Sequence, residues 1–167
     1  MKTMPLAVTV NGVARQWTIR PGELLLDVLR REGFFGVKRG CEQGECGACT
    51  VLLNGKAVNS CLIFAGHVEG SEILTIEGLA AGDDLDPLQQ AFLDHGAVQC
   101  GFCAPGMILA AKALLDRQPD PTEEQVREAL SGNYCRCTGY RKPVEAVLAA
   151  AGKKRGVSRR NHGEVAR

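Results

Sequence analysis

Eight cysteines are the residues of this sequence whose type and spacing predict chemistry. They form two sets: Cys41, Cys46, Cys49 and Cys61, and then Cys100, Cys103, Cys135 and Cys137. The first set has the spacing C-x4-C-x2-C followed by a distant fourth cysteine, which is typical of plant-type [2Fe-2S] ligation. Since four thiolates hold one such cluster, two sets predict two clusters and therefore electron transfer.

The fourth cysteine of the first set can be placed by hairpin geometry. Asn54-Gly55 predicts a two-residue turn, and counting back from that turn places Cys49 opposite Ser60. Cys61 then lies one position past the cross-strand partner of Cys49. Glycines at positions 36, 40, 44 and 47 interleave with the other three cysteines, and we expect them to supply the positive φ angles that a loop wrapped around a cluster requires.

The second set has a spacing that chemistry alone does not assign. Cys100-x2-Cys103 comes directly before Pro105, while Cys135-x1-Cys137 follows a predicted helix end. The helix beginning near Pro105 would offer unpaired N–H groups and a partial positive charge to an anionic cluster. The spacing matches neither a common zinc site nor a single-chain ferredoxin. Because it identifies neither metal centre, zinc remains an alternative to iron-sulfur for this set.

Zinc and disulfides are the competing uses of the cysteines. In the first set Cys46-x2-Cys49 would serve zinc, but Cys41 and Cys61 fit zinc spacings poorly. Residues 1–10 lack the apolar run and cleavage site of a secretory signal, and no later stretch is long enough to span a bilayer. We therefore predict a cytoplasmic protein, in which many cysteines indicate metal rather than disulfides.

The first half of the sequence predicts a small α+β domain. Alternating apolar residues around Asn11-Gly12 predict a hairpin, a helical stripe covers 24–29, and a second hairpin surrounds Asn54-Gly55. One further strand at 73–77 ends the domain near Gly78.

Beyond a linker at 77–86 that is rich in Gly and Asp, the pattern is helical only. Four apolar stripes at helical spacing predict four helices, and the stripes contain Phe92, Met107, Val126 and Val147. Thr122 and Gln125 predict a capping box, and Pro105 and Pro143 are expected at first helical positions. We therefore predict an α+β chain with domains at 1–80 and 84–152 and a basic, disordered tail at 153–167.

Composition limits the classes of partner. The chain has 167 residues, 45% apolar and 5% aromatic, so two half-sized cores would be thin unless metal clusters tie the chain together. The formal net charge is +1 with neutral cysteines, and each oxidised four-thiolate cluster adds about two negative charges. The loaded protein is expected to be acidic, which argues against nucleic acid as a partner.

Three runs of sequence carry a family resemblance. They are GCEQGECGACT at 40–50, QCGFC at 99–103 and GNYCRCTGY at 132–140. Together they closely resemble the small iron-sulfur subunits of the molybdenum hydroxylases, which include xanthine dehydrogenases, aldehyde oxidoreductases, carbon monoxide dehydrogenases and 4-hydroxybenzoyl-CoA reductase. The resemblance covers about residues 4–150. Two departures are Ala104, where the family often has Thr, and Tyr134, where Leu is common.

The resemblance implies a fold, cofactors and partners. It implies an N-terminal β-grasp (plant-type ferredoxin-like) domain and an all-α four-helix domain, each holding one [2Fe-2S] cluster on four of the eight cysteines. It also implies a large subunit with molybdopterin (Mo) and a medium subunit with FAD, in a hetero-oligomer such as a dimer of heterotrimers. Gln99 and Cys137 match family positions that contact the pterin, Gln99 through its amide and Cys137 beside its ligand role.

The function predicted from this resemblance is that of the electron-transfer subunit of a molybdenum-dependent oxidoreductase, with no catalytic residue on this chain. Electrons would pass from the molybdopterin centre through both clusters toward FAD. The substrate, a purine or other aromatic heterocycle, carbon monoxide or an aldehyde, would bind on another subunit. A free-standing two-cluster ferredoxin and a zinc-stabilised adaptor are the alternatives.

Overall fold

The computed structural model describes residues 2–160, with the backbone alone for 153–160. Its strands are β1 Met4–Val10, β2 Val13–Ile19, β3 Thr50–Leu53, β4 Lys56–Asn59 and β5 Glu72–Leu74. Its α-helices are α1 Leu25–Arg31, α2 Pro87–Asp94, α3 Ala104–Arg117, α4 Glu123–Leu130 and α5 Arg141–Arg160. The strands form one sheet in the order β2-β1-β5-β3-β4, in which only the β1–β5 pair is parallel within the described residues. The mixed α and β content that the sequence predicts is therefore confirmed.

Both predicted hairpins form around two-residue turns. Asn11 and Gly12 take φ of 51° and 77°, and Asn54 and Gly55 take 49° and 78°. Positive φ at both central residues is the type I′ geometry that matches the twist of the flanking strands. The second turn fixes the register of β3 against β4, and the Ser60 N–H donates to the Cys49 carbonyl at 3.3 Å, as the hairpin count predicts.

The strand predicted at 73–77 is shorter than expected. β5 ends at Leu74 because the next residue bonds elsewhere: the Thr75 N–H donates to Asn11 Oδ1 at 2.9 Å, and a 3₁₀ turn follows at Ile76–Gly78. The start of the predicted linker is also fixed in place. The Glu77 carboxylate accepts from the Gly36 N–H and the Thr75 hydroxyl, both at 2.6 Å.

The sheet and the later helices each enclose an apolar core. One face of the sheet covers α1, whose buried residues are Leu25, Leu26, Val28 and Leu29. The four predicted C-terminal helices are α2–α5, and Met107 is buried among them, so its apolar stripe is core. We call the residues of the sheet and α1 the sheet unit, and α2–α5 the helical unit. A third cluster joins the two units, with Leu52 of β3 packed against Leu109 and Ala113 of α3.

The helix starts differ in detail from those predicted. α3 begins at Ala104, with Cys103 as its N-cap, so Pro105 is second rather than first. α5 begins at Arg141, which makes Pro143 its third residue. Both prolines lie in the first turn, where a missing N–H costs no helical hydrogen bond. α5 also continues past Gly152 into the segment predicted as a tail, while 161–167 lie outside the described residues.

The predicted capping box at Thr122 is confirmed, since its hydroxyl accepts from Gln125 N–H and the Gln125 side chain accepts from Thr122 N–H.

Thr122→Val should remove the first of these bonds and lower the free energy of unfolding by about 1 kcal/mol. Urea unfolding followed by circular dichroism measures the loss. Thr18→Val, at an exposed position of β2, is the matched control and should leave the midpoint nearly unchanged; equal midpoints for all three proteins would contradict the capping role.

No helix in the described part of the chain combines the length and apolarity needed to cross a membrane.

Candidate metal centres

The thiols of the first set come together in two pairs. Cys41 and Cys46 exchange hydrogen bonds, each backbone N–H donating to the other residue's Sγ at 3.4 Å. Cys49 and Cys61 form the second pair: both are buried, and burial and the neighbouring Cys49 thiol raise the pKa of Cys61. The pairs come from different elements, because the loop before β3 carries three of the cysteines and the 3₁₀ turn Ser60–Leu62 after β4 carries Cys61.

The second set repeats this arrangement. The Cys100 and Cys137 sulfurs lie 3.6 Å apart and both residues are exposed. Cys103 and Cys135 form the inner pair: the start of α3 meets the loop after α4, and burial and the neighbouring Cys135 thiol raise the pKa of Cys103. The helix junctions that the sequence predicts to meet do meet.

Paired thiols fit the chemistry of a two-iron cluster, in which each iron takes two of the four thiolates. The contacts join the eight cysteines into four pairs. In each set one pair is more exposed and the other pair is more buried. The donor set and its pairing therefore suit a [2Fe-2S] group at each centre.

The loop of the first set directs amide groups at sulfur. The Gln43 N–H also donates to Cys41 Sγ, at 3.4 Å. Hydrogen bonds from the backbone N–H groups of Gln43 and Cys46 lower the pKa of Cys41 to about 6. Amides directed at a sulfur stabilise its anionic form, which is the form that binds iron.

The glycines of this loop only partly follow prediction. Gly44 and Gly47 take positive φ, of 81° and 64°, but the same expectation is wrong for Gly36 and Gly40. At Gly40 the requirement is space, because a Cβ there would lie 2.7 Å from Cys46 Sγ. Glu42 instead takes a positive φ of 57°. The sequence does not predict this, because glutamate has no preference for left-handed backbone angles.

Cys61 and Cys103, one from each centre, have the opposite electrostatics. Burial and the neighbouring Cys49 thiol raise the pKa of Cys61 to about 11. Burial and the neighbouring Cys135 thiol raise the pKa of Cys103 to about 12. A coordinating thiol releases its proton to solvent and binds as the thiolate, so a cation at each centre would stabilise charges that the free chain disfavours.

Cys135 receives additional hydrogen bonds. Its Sγ lies 3.1 Å from the Thr138 hydroxyl and accepts from the Thr138 N–H at 3.4 Å. Burial acts to raise the pKa of Cys135, but the hydrogen bonds from Thr138, together with those from the Cys137 N–H and the Cys103 thiol, outweigh it and the pKa lies below its ordinary value. The sequence motif at 132–140 predicts a role for its cysteines only, and nothing in its spacing indicates that Thr138 contacts the sulfur.

The loops of the two centres are bonded to each other. Asn133, 3% exposed, donates from Nδ2 to the Gly47 carbonyl at 2.9 Å, and the Tyr134 N–H donates to the Cys46 carbonyl at 2.9 Å. Gly47 must be glycine, because a Cβ there would come under 3.0 Å from the Gly132 carbonyl oxygen. The centres are thus held at a fixed separation by their own loops, a feature that the sequence analysis missed.

Two domain families match consecutive parts of the chain. Residues 8–80 match the family described as 2Fe-2S iron-sulfur cluster binding domain, and residues 75–148 match the [2Fe-2S] binding domain. The nicotinate dehydrogenase small FeS subunit of Eubacterium barkeri is 52% identical over 90% of this chain and 96% of its own length. The xanthine dehydrogenase iron-sulfur-binding subunit of Escherichia coli O157:H7 is 48% identical over 88% of this chain and 94% of its own length.

This chain belongs to the small iron-sulfur subunits of the molybdenum hydroxylases. It is therefore an electron-transfer subunit of an oxidoreductase, as the cysteine motifs predict. A solved structure of a family member, the aldehyde oxidoreductase from Desulfovibrio gigas, superposes with a TM-score of 0.88 at 47% identity. The match covers 92% of this chain and 17% of that chain, so the iron-sulfur subunit here corresponds to a minor part of that longer protein.

The residues matched to pterin contacts lie on the surface of this iron-sulfur subunit. Gln99 is exposed, and so are the adjacent Cys100 and Cys137. Two large apolar side chains are exposed beside them in sequence, Phe102 at 48% and Tyr134 at 50%. Arg136 lies over the Tyr134 ring, 5.4 Å from its centroid. The outer pair of the second centre is thus open to contact from outside the chain.

Proposed function

We propose that this chain carries electrons through two [2Fe-2S] clusters. Cys41, Cys46, Cys49 and Cys61 would hold the first cluster, and Cys100, Cys103, Cys135 and Cys137 the second. The observation that carries the proposal is the grouping of eight thiols into four pairs at two centres whose loops are bonded to each other. A [2Fe-2S] cluster accepts or donates one electron, and fixed spacing between two clusters favours transfer from one to the other.

The proposed architecture has two domains. Residues 1–80 form a β-grasp, ferredoxin-like domain around the first cluster, and residues 84–152 form an all-α four-helix domain around the second. Separate apolar cores in the sheet unit and the helical unit support this division, and the Leu52–Leu109 cluster packs the two units against each other.

The electron route is proposed from which cysteines of the two centres are exposed to solvent. The second centre presents Cys100 and Cys137 to the outside beside Gln99, so this face would contact molybdopterin on the large subunit, with the Gln99 amide and Cys137 at the pterin. Electrons would enter there, cross to the first cluster and leave toward FAD on a medium subunit. We infer a cytoplasmic hetero-oligomer, a dimer of heterotrimers, in which this chain supplies no catalytic residue.

The substrate of the complete enzyme belongs to another subunit. Relatives with nearly the same identity to this chain are named for nicotinate, for xanthine and for an aldehyde. A subunit that stays this similar while the substrate changes is not the one that selects it. We propose that the substrate is a purine or other aromatic heterocycle, carbon monoxide or an aldehyde, and oxidation of xanthine, an aldehyde and carbon monoxide by the purified complex would decide between these classes.

Anaerobic reconstitution tests the two-cluster function. The full chain should take up about four irons and four sulfides, and the reduced protein should show two distinct EPR signals. Zinc in place of iron, or a single signal, would contradict the proposal. Size-exclusion chromatography of native material tests the partners: elution far above 17.9 kDa supports the subunit, while elution as a monomer supports the free-standing ferredoxin.

A further inference from the structure

A closed ring of hydrogen bonds lies beside Cys135. The Cys135 N–H donates to the Tyr140 hydroxyl oxygen at 2.8 Å, and the Tyr140 N–H donates to Thr138 Oγ1 at 3.2 Å. Thr138 Oγ1 lies 3.1 Å from Cys135 Sγ, which completes the ring. Three residues within one turn of chain therefore fix one another's polar groups around a single sulfur.

The ring determines which way the Thr138 hydroxyl points. Its oxygen already accepts the Tyr140 N–H, and a cysteine that ligates iron has no proton on sulfur to donate. The hydroxyl proton must therefore point to Cys135 Sγ in the loaded protein. Together with the Thr138 N–H at 3.4 Å, this gives the sulfur two donors from one residue.

Tyr140 is held in a costly backbone conformation to make this contact. Its φ is 67°, a left-handed value that is a genuine outlier for a bulky side chain. Such a residue persists only where its surroundings enforce it, and here its carbonyl accepts the Val144 N–H at the start of α5 while its ring packs against the helical core. Tyr140 therefore anchors the ring of bonds to the helical unit.

We propose that Thr138 is a positioning residue, held by Tyr140, whose hydroxyl raises the reduction potential of the second cluster. Reduction adds one negative charge to the cluster, and a donor directed at a ligating sulfur stabilises the charged state more than the oxidised one. The inference depends on the proposed cluster assignment. It adds a residue that would set the potential of the cluster nearer the proposed pterin face and hence the direction of electron flow.

Thr138→Val tests this role because it keeps the size and the backbone N–H but removes the hydroxyl. At a fixed solution potential, the ratio of reduced to oxidised second cluster should fall about tenfold, a downward shift of about 59 mV for one electron. Redox titration of the full reconstituted chain, followed by EPR, measures both clusters in one sample. The first-cluster potential should not move, and Thr138→Ser should restore the wild-type value for the second.

Thr122→Val is the matched control, since it destabilises the same helical unit by removing a hydroxyl that bonds to the Gln125 N–H rather than to a cysteine, and its second-cluster potential should equal that of the wild type. An unchanged potential in Thr138→Val would overturn the inference, as would an equal shift in Thr122→Val. Loss of the second cluster from Thr138→Val would also overturn it, because the hydroxyl would then be required for ligation rather than tuning. Fewer than two signals in the wild-type chain would instead contradict the two-cluster function itself.

Discussion

Replacing Cys103 with alanine should remove the second cluster and leave the first intact. The variant would leave the cluster with three protein ligands and one of its irons with a single one, and Cys103 lies in the inner pair, where its partner Cys135 is 8% exposed and water has little access to replace the lost thiolate. Iron should fall from about four to about two per chain. Since the clusters are proposed to act in series, electron transfer from substrate to flavin in the assembled enzyme should stop.

Cys49→Ala is the reciprocal control for this prediction. Cys49 is 3% exposed and belongs to the inner pair of the first centre, so its replacement should remove the first cluster and spare the second. Iron analysis and EPR of the two variants should give complementary single signals. Loss of both clusters from a variant that keeps its helical circular dichroism, or four irons in either variant, would show that the sites are not two independent sets.

Gly106→Ala should destabilise the protein, although alanine is the better helix former. Gly106 lies in α3, and a Cβ there would come under 3.0 Å from the Gly47 carbonyl oxygen and 2.8 Å from Asn133 Nδ2. These two atoms make the hydrogen bond that joins the two cluster loops. Overpacking costs about 1–3 kcal/mol and a lost buried hydrogen bond about 1 kcal/mol more, which exceeds the helix-propensity gain of about 1 kcal/mol.

Gly152→Ala provides the matched control. Gly152 also lies in a helix, α5, but a Cβ there would meet nothing within 4 Å. This variant gains the same helix propensity and should raise the urea midpoint, whereas Gly106→Ala should lower it and accelerate cluster loss. A raised midpoint in both variants would mean that the protein accommodates a Cβ at Gly106 without disturbing the hydrogen bond between Gly47 and Asn133.

Much of the fold could be predicted because its signals are local. The Asn11-Gly12 and Asn54-Gly55 turns require left-handed φ at both residues, which Asn and Gly tolerate in any context. The Thr122 capping box likewise needs only residues three apart. The errors came where distant groups compete, as at Thr75, whose N–H bonds to the Asn11 side chain and ends β5 early.

The sequence by itself determined the ligand chemistry and the family of this protein. Thiol type and spacing, with the motifs around them, are written along the chain and do not depend on packing. Only the tertiary structure decided how the thiols pair, which pairs are exposed, and that Asn133 bonds to Gly47 across 86 positions. The ring from Cys135 through Thr138 to Tyr140 also belongs to that second group. The pairing of the thiols and the Asn133 bond depend on steric fit between elements distant in sequence, and the ring depends on a backbone held at left-handed φ at Tyr140, which no local propensity favours.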